Sequence, residues 1–270
     1  TFVYFLQVVV NANEGPENFD GGILELNIGP QANKRLVVST TDNDETFFVT
    51  GDGSKNNETV RVIAFGYSQS FSGVNQIFAN AGESDDSIEV ENIAIPVEFS
   101  GGNGNDRLFE LFGEGGADTI DGGAGSDYID GGIGNDTLFG DTDDTQLGND
   151  TIFGDDGKDK IYGFRGNDVL VGGNGSDLIY GGNGNDKLVG DLDEEDNGND
   201  FLRGDAGNDE ISGSNGNDTV IYDTSPNGVV VNIDEKQNYT SFEIEPDFII
   251  NASEAKDGFG FTDSFQVAIT

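Results

Sequence analysis

The chain has 270 residues, 12 Lys and Arg against 52 Asp and Glu, a formal charge of −40, and no His, Cys, Met or Trp. Without Cys there is no disulfide framework, thiolate nucleophile or zinc finger, and without His no Ser-His-Asp triad or imidazole-bound metal. The charge excludes nucleic acid as a partner, since a phosphate backbone calls for clustered Lys and Arg, and it disfavours an anionic membrane surface. A hydrophobic content of 34% at this charge leans toward disorder, yet 20 Phe and 7 Tyr are too many for a disordered acidic tail. The composition reads as a chain that folds once divalent cations cancel its charge.

Residues 1–20 open with Phe2 to Val10, apolar except for Gln7. This run is too short to span a bilayer, and no membrane insertion is expected. Its aromatic and β-branched content predicts a strand, one that needs a partner for its edge. The chain begins at Thr1, which reads as a mature form or a fragment of a longer protein.

Residues 21–100 rhyme with the middle of the chain without repeating cleanly. Asp42 to Thr50 (DNDETFFVT) and Glu83 to Val90 (ESDDSIEV) each place acidic turn residues before alternating β residues. Ile93 to Phe99 (IAIPVEF) runs straight into the next region. We read these residues as wider, degenerate coils of a solenoid, with a separate β-sandwich as the rival. No stretch has a useful helical period.

From Gly101 to Ile221 a nine-residue unit recurs twelve times: Gly, usually Gly, any, Gly, often Asn, Asp, any, aliphatic, any. Clear copies are Gly122 to Asp130 (GGAGSDYID), Gly172 to Tyr180 (GGNGSDLIY) and Gly181 to Val189 (GGNGNDKLV). Position six is Asp in every copy: Asp106, Asp118, Asp127, Asp136, Asp150, Asp159, Asp168, Asp177, Asp186, Asp200, Asp209 and Asp218. Position four is always Gly and position eight always Leu, Ile or Val; position two is loose, with Glu114, Phe164 and Ser214 among its occupants. Positions one to six predict a turn, in which Gly lets neighbouring backbones approach closely. Positions seven to nine predict a short strand whose central aliphatic residue points inward.

Two units make one flattened coil, so units two apart stack at roughly the 4.8 Å strand spacing. Leu108, Ile129, Ile152, Leu170, Leu188 and Ile211 are then expected along one side of a thin core. Ile120, Leu138, Ile161, Ile179, Leu202 and Val220 are expected along the other. The same stacking draws the position-six Asp residues into two columns of like charge, which is costly at any plausible dielectric. A cation between successive turns relieves that cost. Carbonyl-rich turns suit Ca²⁺ better than the smaller Mg²⁺, which demands a tight octahedron and keeps its waters. Six stacked turns per side leave five gaps, hence about ten interior sites.

Two copies carry five extra residues. Asp141 to Leu147 (DTDDTQL) and Asp191 to Asn197 (DLDEEDN) lengthen turns on opposite sides of the coil. They read as solvated surface loops, with capture of further ions as the alternative. In residues 222–270 Gly thins out and Phe becomes frequent: Phe242, Phe248, Phe259, Phe261 and Phe265. A solenoid's last coil must be covered, so this segment is expected to be a C-terminal cap.

The nonapeptide resembles the RTX (repeats-in-toxin) repeat of calcium-binding β-rolls, and the match spans Gly101 to Ile221. The resemblance implies an all-β fold, a right-handed parallel β-roll or β-helix solenoid, with a degenerate solenoid before it and a cap after it. It implies calcium held by the twelve Asp residues together with turn residues at positions four and five. Those are Gly104, Gly125, Gly134, Gly148, Gly166, Gly175, Gly184, Gly198 and Gly207, and Asn105, Asn135, Asn167, Asn185 and Asn208. Asp257-Gly258-Phe259-Gly260 resembles the aromatic-glycine stretch that comes after such arrays, and Val267 to Ile269 is compatible with the family's C-terminal type I export signal.

No catalytic constellation stands out, since paired carboxylates carry no information in so acidic a chain. The expectation is a non-enzymatic, secreted, extracellular calcium-binding protein with a structural or adhesive role at a bacterial cell surface. Phe2 to Val10 adds the expectation of self-association into a fibre or layer by strand addition. The alternatives are a folding and secretion module of a larger exported enzyme, adhesin or toxin, and a polysaccharide-binding solenoid.

Overall fold

A computed structural model describes residues 22–26, 46–55, 58–64, 67–111, 115–143, 145–192, 198–216, 218–222, 230–231 and 242–244. Phe2 to Val10 and most of 222–270 lie outside these residues, and with them the N-terminal strand and the C-terminal cap. Among the described residues every regular element is a strand. None is a helix long and apolar enough to cross a membrane.

The strands form two parallel stacks. One runs Gly22–Leu26, Tyr67–Glu83, Val97–Asn103, Thr119–Ala124, Thr137–Phe139, Lys160–Arg165, Leu178–Asn183, Phe201–Ala206, Thr219–Tyr222 and Phe242–Ile244. The other runs Thr46–Thr50, Ser87–Glu91, Arg107–Leu111, Tyr128–Asp130, Thr151–Gly157, Val169–Gly175, Lys187–Val189, Glu210–Ser212 and Val230–Val231. Each coil gives one strand to each stack. The result is a β-solenoid, and the degenerate N-terminal coils share its ladders.

The register follows the aliphatic residue of each repeat. Leu108 pairs with Ile129, then Ile152, Leu170, Leu188 and Ile211 in turn. Across the core Ile120 pairs with Leu138, then Ile161, Ile179, Leu202 and Val220. All twelve are buried. One inward side chain per strand makes a core a single residue wide on each side. Any shift by one residue would turn an outward-facing neighbour inward, so the register is strongly specified.

The N-terminal coils are thicker. Leu24, Leu26, Ile77, Ala79, Ala81, Val97 and Phe99 line one side and Phe47, Val49, Ile88 and Val90 the other. An antiparallel strand, Glu58–Ala64, interrupts the simple coil. It pairs with Thr46–Thr50 and with Tyr67–Glu83, and buries Val60 and Val62.

On the outer faces of the array, aromatic residues stack along the solenoid. The rings of Phe139 and Tyr162 lie 5.2 Å apart at 15°, and those of Tyr162 and Tyr180 5.2 Å apart at 4°. On the other stack Tyr128 packs against Phe109 and Phe153, with the Arg107 guanidinium 5.1 Å from its ring centre. Such cross-strand pairs stabilise the sheet through the side chains that the core cannot use.

Candidate metal centre

The turn places position six of each repeat inside the solenoid wall. All twelve of these Asp residues are only 1–3% exposed. They form two columns, and within each column the Asp residues are joined by one repeated hydrogen bond. The backbone N–H of one Asp donates to Oδ1 of the Asp one coil later. In one column the amides of Asp106, Asp127, Asp150, Asp168 and Asp186 donate in this way to Asp127, Asp150, Asp168, Asp186 and Asp209, at 2.7–3.0 Å. In the other, Asp118, Asp136, Asp159, Asp177 and Asp200 donate to Asp136, Asp159, Asp177, Asp200 and Asp218, at 2.8–3.0 Å.

The second carboxylate oxygen is the informative one. Oδ2 of Asp106, Asp127, Asp136, Asp150, Asp159, Asp168, Asp186, Asp200, Asp209 and Asp218 is buried and has no hydrogen-bond partner. A buried polar atom left unpaired is costly, and a column of them calls for a ligand. In the regular repeats Oδ2 lies over the Cα of the position-one glycine that precedes it, next to the carbonyl of the position-one glycine one coil later. A Cβ built on Gly163 would fall 2.5 Å from Asp168 Oδ2 and 2.6 Å from the Gly181 carbonyl. Any side chain there would fill the space where two oxygens converge.

Among the described residues no group of three or more His, Cys, Asp or Glu side chains converges. The donor set is one carboxylate oxygen beside backbone carbonyls. That chemistry fits a hard cation, and Ca²⁺ in particular, which takes many oxygen ligands in flexible geometry.

Burial without a counter-charge pushes ten of these carboxyls up. Desolvation is the leading cause throughout, partly offset by the amide of the preceding Asp and reinforced in most of them by neighbouring carboxylates. Asp106, Asp209 and Asp218, near the ends, are raised to about 6. Asp136, Asp168 and Asp186 are raised to about 7, and Asp127, Asp150, Asp159 and Asp200 to about 8. A bound divalent ion inverts this, because its charge favours the ionised form.

The turn residues named from the repeat divide into two groups. The position-four glycines stack directly on one another: a Cβ on Gly125, Gly148, Gly166, Gly175, Gly184, Gly198 or Gly207 would strike the backbone carbonyl of a glycine one coil earlier. A Cβ on Gly134 would meet the Gly116 carbonyl, and one on Gly104 the Ser84 carbonyl. The position-five Asn side chains lie on the exposed edge, away from the columns. Oδ1 of Asn105, Asn135, Asn167 and Asn185 accepts from the position-five amide of the next coil, and Asn208 is the donor to Asn185. Hydrogen bonds thus run forward along the stack at position six and backward at position five.

The repeat pattern alone did not single out four features. Asp86, 3% exposed, extends one column by a coil, its amide donating to Asp106 Oδ1 at 2.7 Å. Its signal was the acidic run before Ser87, without the glycines. The position-one glycines flank the orphan oxygens more closely than the position-four glycines do. Position two is left-handed even where it is not Gly, with φ of 67° at Asp155, 69° at Phe164 and 62° at Asp205. Finally, the insertions are not wholly solvated: Leu147 and Leu192 are exposed, but Asp141 and Asp191 are buried.

The family model for the RTX calcium-binding nonapeptide repeat matches four times, over residues 112–147, 144–163, 162–194 and 196–224. Residues 112–224 are therefore an RTX calcium-binding repeat array, carried on a β-solenoid. No curated protein and no solved structure matches the chain.

Proposed function

We propose that this is a secreted protein whose folding is switched on by calcium, with a structural rather than catalytic role outside the cell. The observation that carries this reading is the pair of Asp columns with buried, unpartnered Oδ2 atoms. Where calcium is scarce, as in a cytoplasm, like-charge repulsion and unpaired carboxylates oppose coil stacking and leave the chain extended for export. Where calcium is millimolar, about ten ions contribute about +20 against the formal −40 and let the coils close. RTX arrays on exported proteins fit that logic.

Self-association is the finer part of the proposal. A solenoid offers an open strand edge at each end, and head-to-tail contacts that do not close into a ring make filaments. The apolar, β-branched and aromatic sequence of Phe2 to Val10 is suited to adding to such an edge. Sugar binding is less favoured, because the rings of Phe139, Tyr162 and Tyr180 stack on each other and cover their own faces. Light scattering on the full chain and on a chain lacking residues 1–10, both in calcium, tests the assembly. The full chain should form large species and the truncated one should stay folded and monomeric. A full chain that remains monomeric at high concentration rules the assembly out.

A further inference from the structure

The two insertions interrupt the solenoid in the same way. Where the accepting turn carries no insertion, the position-three amide donates to the position-two carbonyl one coil earlier, as Asp156 N does to the Gly132 carbonyl at 3.0 Å. After each insertion the corresponding amide meets a side chain instead. Arg165 N donates to Asp141 Oδ2 at 3.4 Å, and Asn215 N to Asp191 Oδ2 at 3.1 Å, both across 24 residues. Asp141 and Asp191 each come directly after a position-one glycine, Gly140 and Gly190. In both, a carboxylate oxygen stands where the uninterrupted turn presents a main-chain oxygen.

At Asp141 the substitution leaves an oxygen over. Asp141 is 0% exposed, and its Oδ1 is buried without a hydrogen-bond partner. Asp141 opens the turn that carries Asp150, and Arg165 belongs to the turn that carries Asp168, so the bond between them places Asp141 at the junction of the two turns. At that junction Asp150 Oδ2, also unpartnered, and the Gly163 carbonyl already converge over Gly140. In the other column Asp200 Oδ2 and the Gly213 carbonyl converge over Gly190, beside Asp191, which is 2% exposed. A regular junction, such as the one over Gly163, has one carboxylate oxygen beside a carbonyl; these two have a second carboxylate.

We propose that Asp141 and Asp191 are additional calcium ligands, which turn the junction between Asp150 and Asp168 and the junction between Asp200 and Asp218 into two sites of higher affinity than the rest. The inference rests on the reading of the array as calcium-binding. Affinity of oxygen sites for Ca²⁺ rises with the number of ligand charges, so one more carboxylate tightens each site on the order of tenfold. The two sites lie in opposite columns and flank the regular repeats Gly154 to Val189, so they load first and hold the middle of the array in register.

The test is a titration of the chelator-stripped full chain with CaCl₂, followed by calorimetry and by native mass spectrometry. The wild type should bind two ions ahead of the rest. Asp141→Asn keeps an oxygen for the Arg165 amide and should leave one early ion; Asp141→Asn with Asp191→Asn should leave none, with the ion count at saturation unchanged. Asp143→Asn removes the same charge from an exposed position of the same loop and should leave both early ions. Should Asp141→Asn fail to fold in saturating calcium, Asp191→Asn alone carries the test in the other column. Two early ions retained in a folded double variant, or an equal loss from Asp143→Asn, overturn the proposal. A wild type that is fully folded in chelator and binds no calcium overturns the calcium reading itself.

Discussion

The N-terminal coils and the repeat array share one pair of ladders but are held together differently. Between Phe47 and Phe99 four strands turn two apolar side chains inward and Tyr67–Glu83 turns five, and Ile93 and Ile95 add to the core between strands. Of the two buried acids there, Asp86 belongs to an Asp column, and Glu58 has both oxygens occupied by main-chain amides, Gly53 N at 3.0 Å and Ala94 N at 3.1 Å. In the array most strands bury a single aliphatic residue, and nearly every turn buries an Asp with one oxygen unpartnered. The same coil geometry is thus stabilised by apolar burial at one end and is left to a cation along the rest. A solenoid does not need calcium as such. It needs it where the coil is too thin to fold on apolar area alone.

The sharpest way to break that comparison is to remove calcium. Chelator should abolish amide protection across 119–222 while leaving most of it in Tyr67–Glu83 and Val97–Asn103, as read by hydrogen exchange with mass spectrometry. Uniform loss along the chain, or none, would contradict a division of labour between the two regions.

A smaller effect comes from pH. The array carboxyls have folded-state values of about 6 to 8 against 3.8 for an ordinary Asp. A raised value means that the folded chain holds protons which the unfolded chain releases. That contribution to the metal-free fold is complete below 3.8 and is lost as pH rises through about 6 to 8. In chelator, the β signal in circular dichroism should therefore be larger at a pH of about 5 than at about 9. With calcium the order should reverse, since protons then compete with the ion.

The smallest effect separates the interior of a column from its end. Asp168 lies between Asp150 and Asp186 in its column, whereas Asp218 ends the run of repeats in the other. Asp168→Ala should lose more than one bound ion in native mass spectrometry and Asp218→Ala fewer. Equal losses would mean that the sites do not share ligands along the stack.

Much of the array was legible because one residue type at one spacing had one place to go. The aliphatic ladder from Leu108 to Ile211 and its counterpart from Ile120 to Val220 follow from the nine-residue period and the alternation of a strand. The rest depended on the main chain. Carbonyls of the position-one glycines carry no side chain to announce them, so their approach to the Asp oxygens is visible only in the fold. The antiparallel strand Glu58–Ala64 obeys the same alternation as a parallel one, and nothing in its residues states its direction. Phe164 and Ser214 looked like relaxation of the repeat at position two. The left-handed backbone persists there because the coils on either side impose it. Asp141 and Asp191 were hidden inside acidic loops, where one carboxylate looks like another until the fold turns it inward.

Coil length itself has a mechanical consequence. From Asp118 onward, successive coils are linked by Asp–Asp hydrogen bonds spanning 18 residues, and 23 where an insertion intervenes. A chain pulled from its two ends would peel coil by coil, because each coil is bonded only to its neighbours. Each regular coil would release about 60 Å of contour and each lengthened coil about 80 Å. The two long steps are internal marks on an otherwise even sawtooth. They would show from which end the solenoid yields, and whether the ions leave one at a time with the coils that hold them.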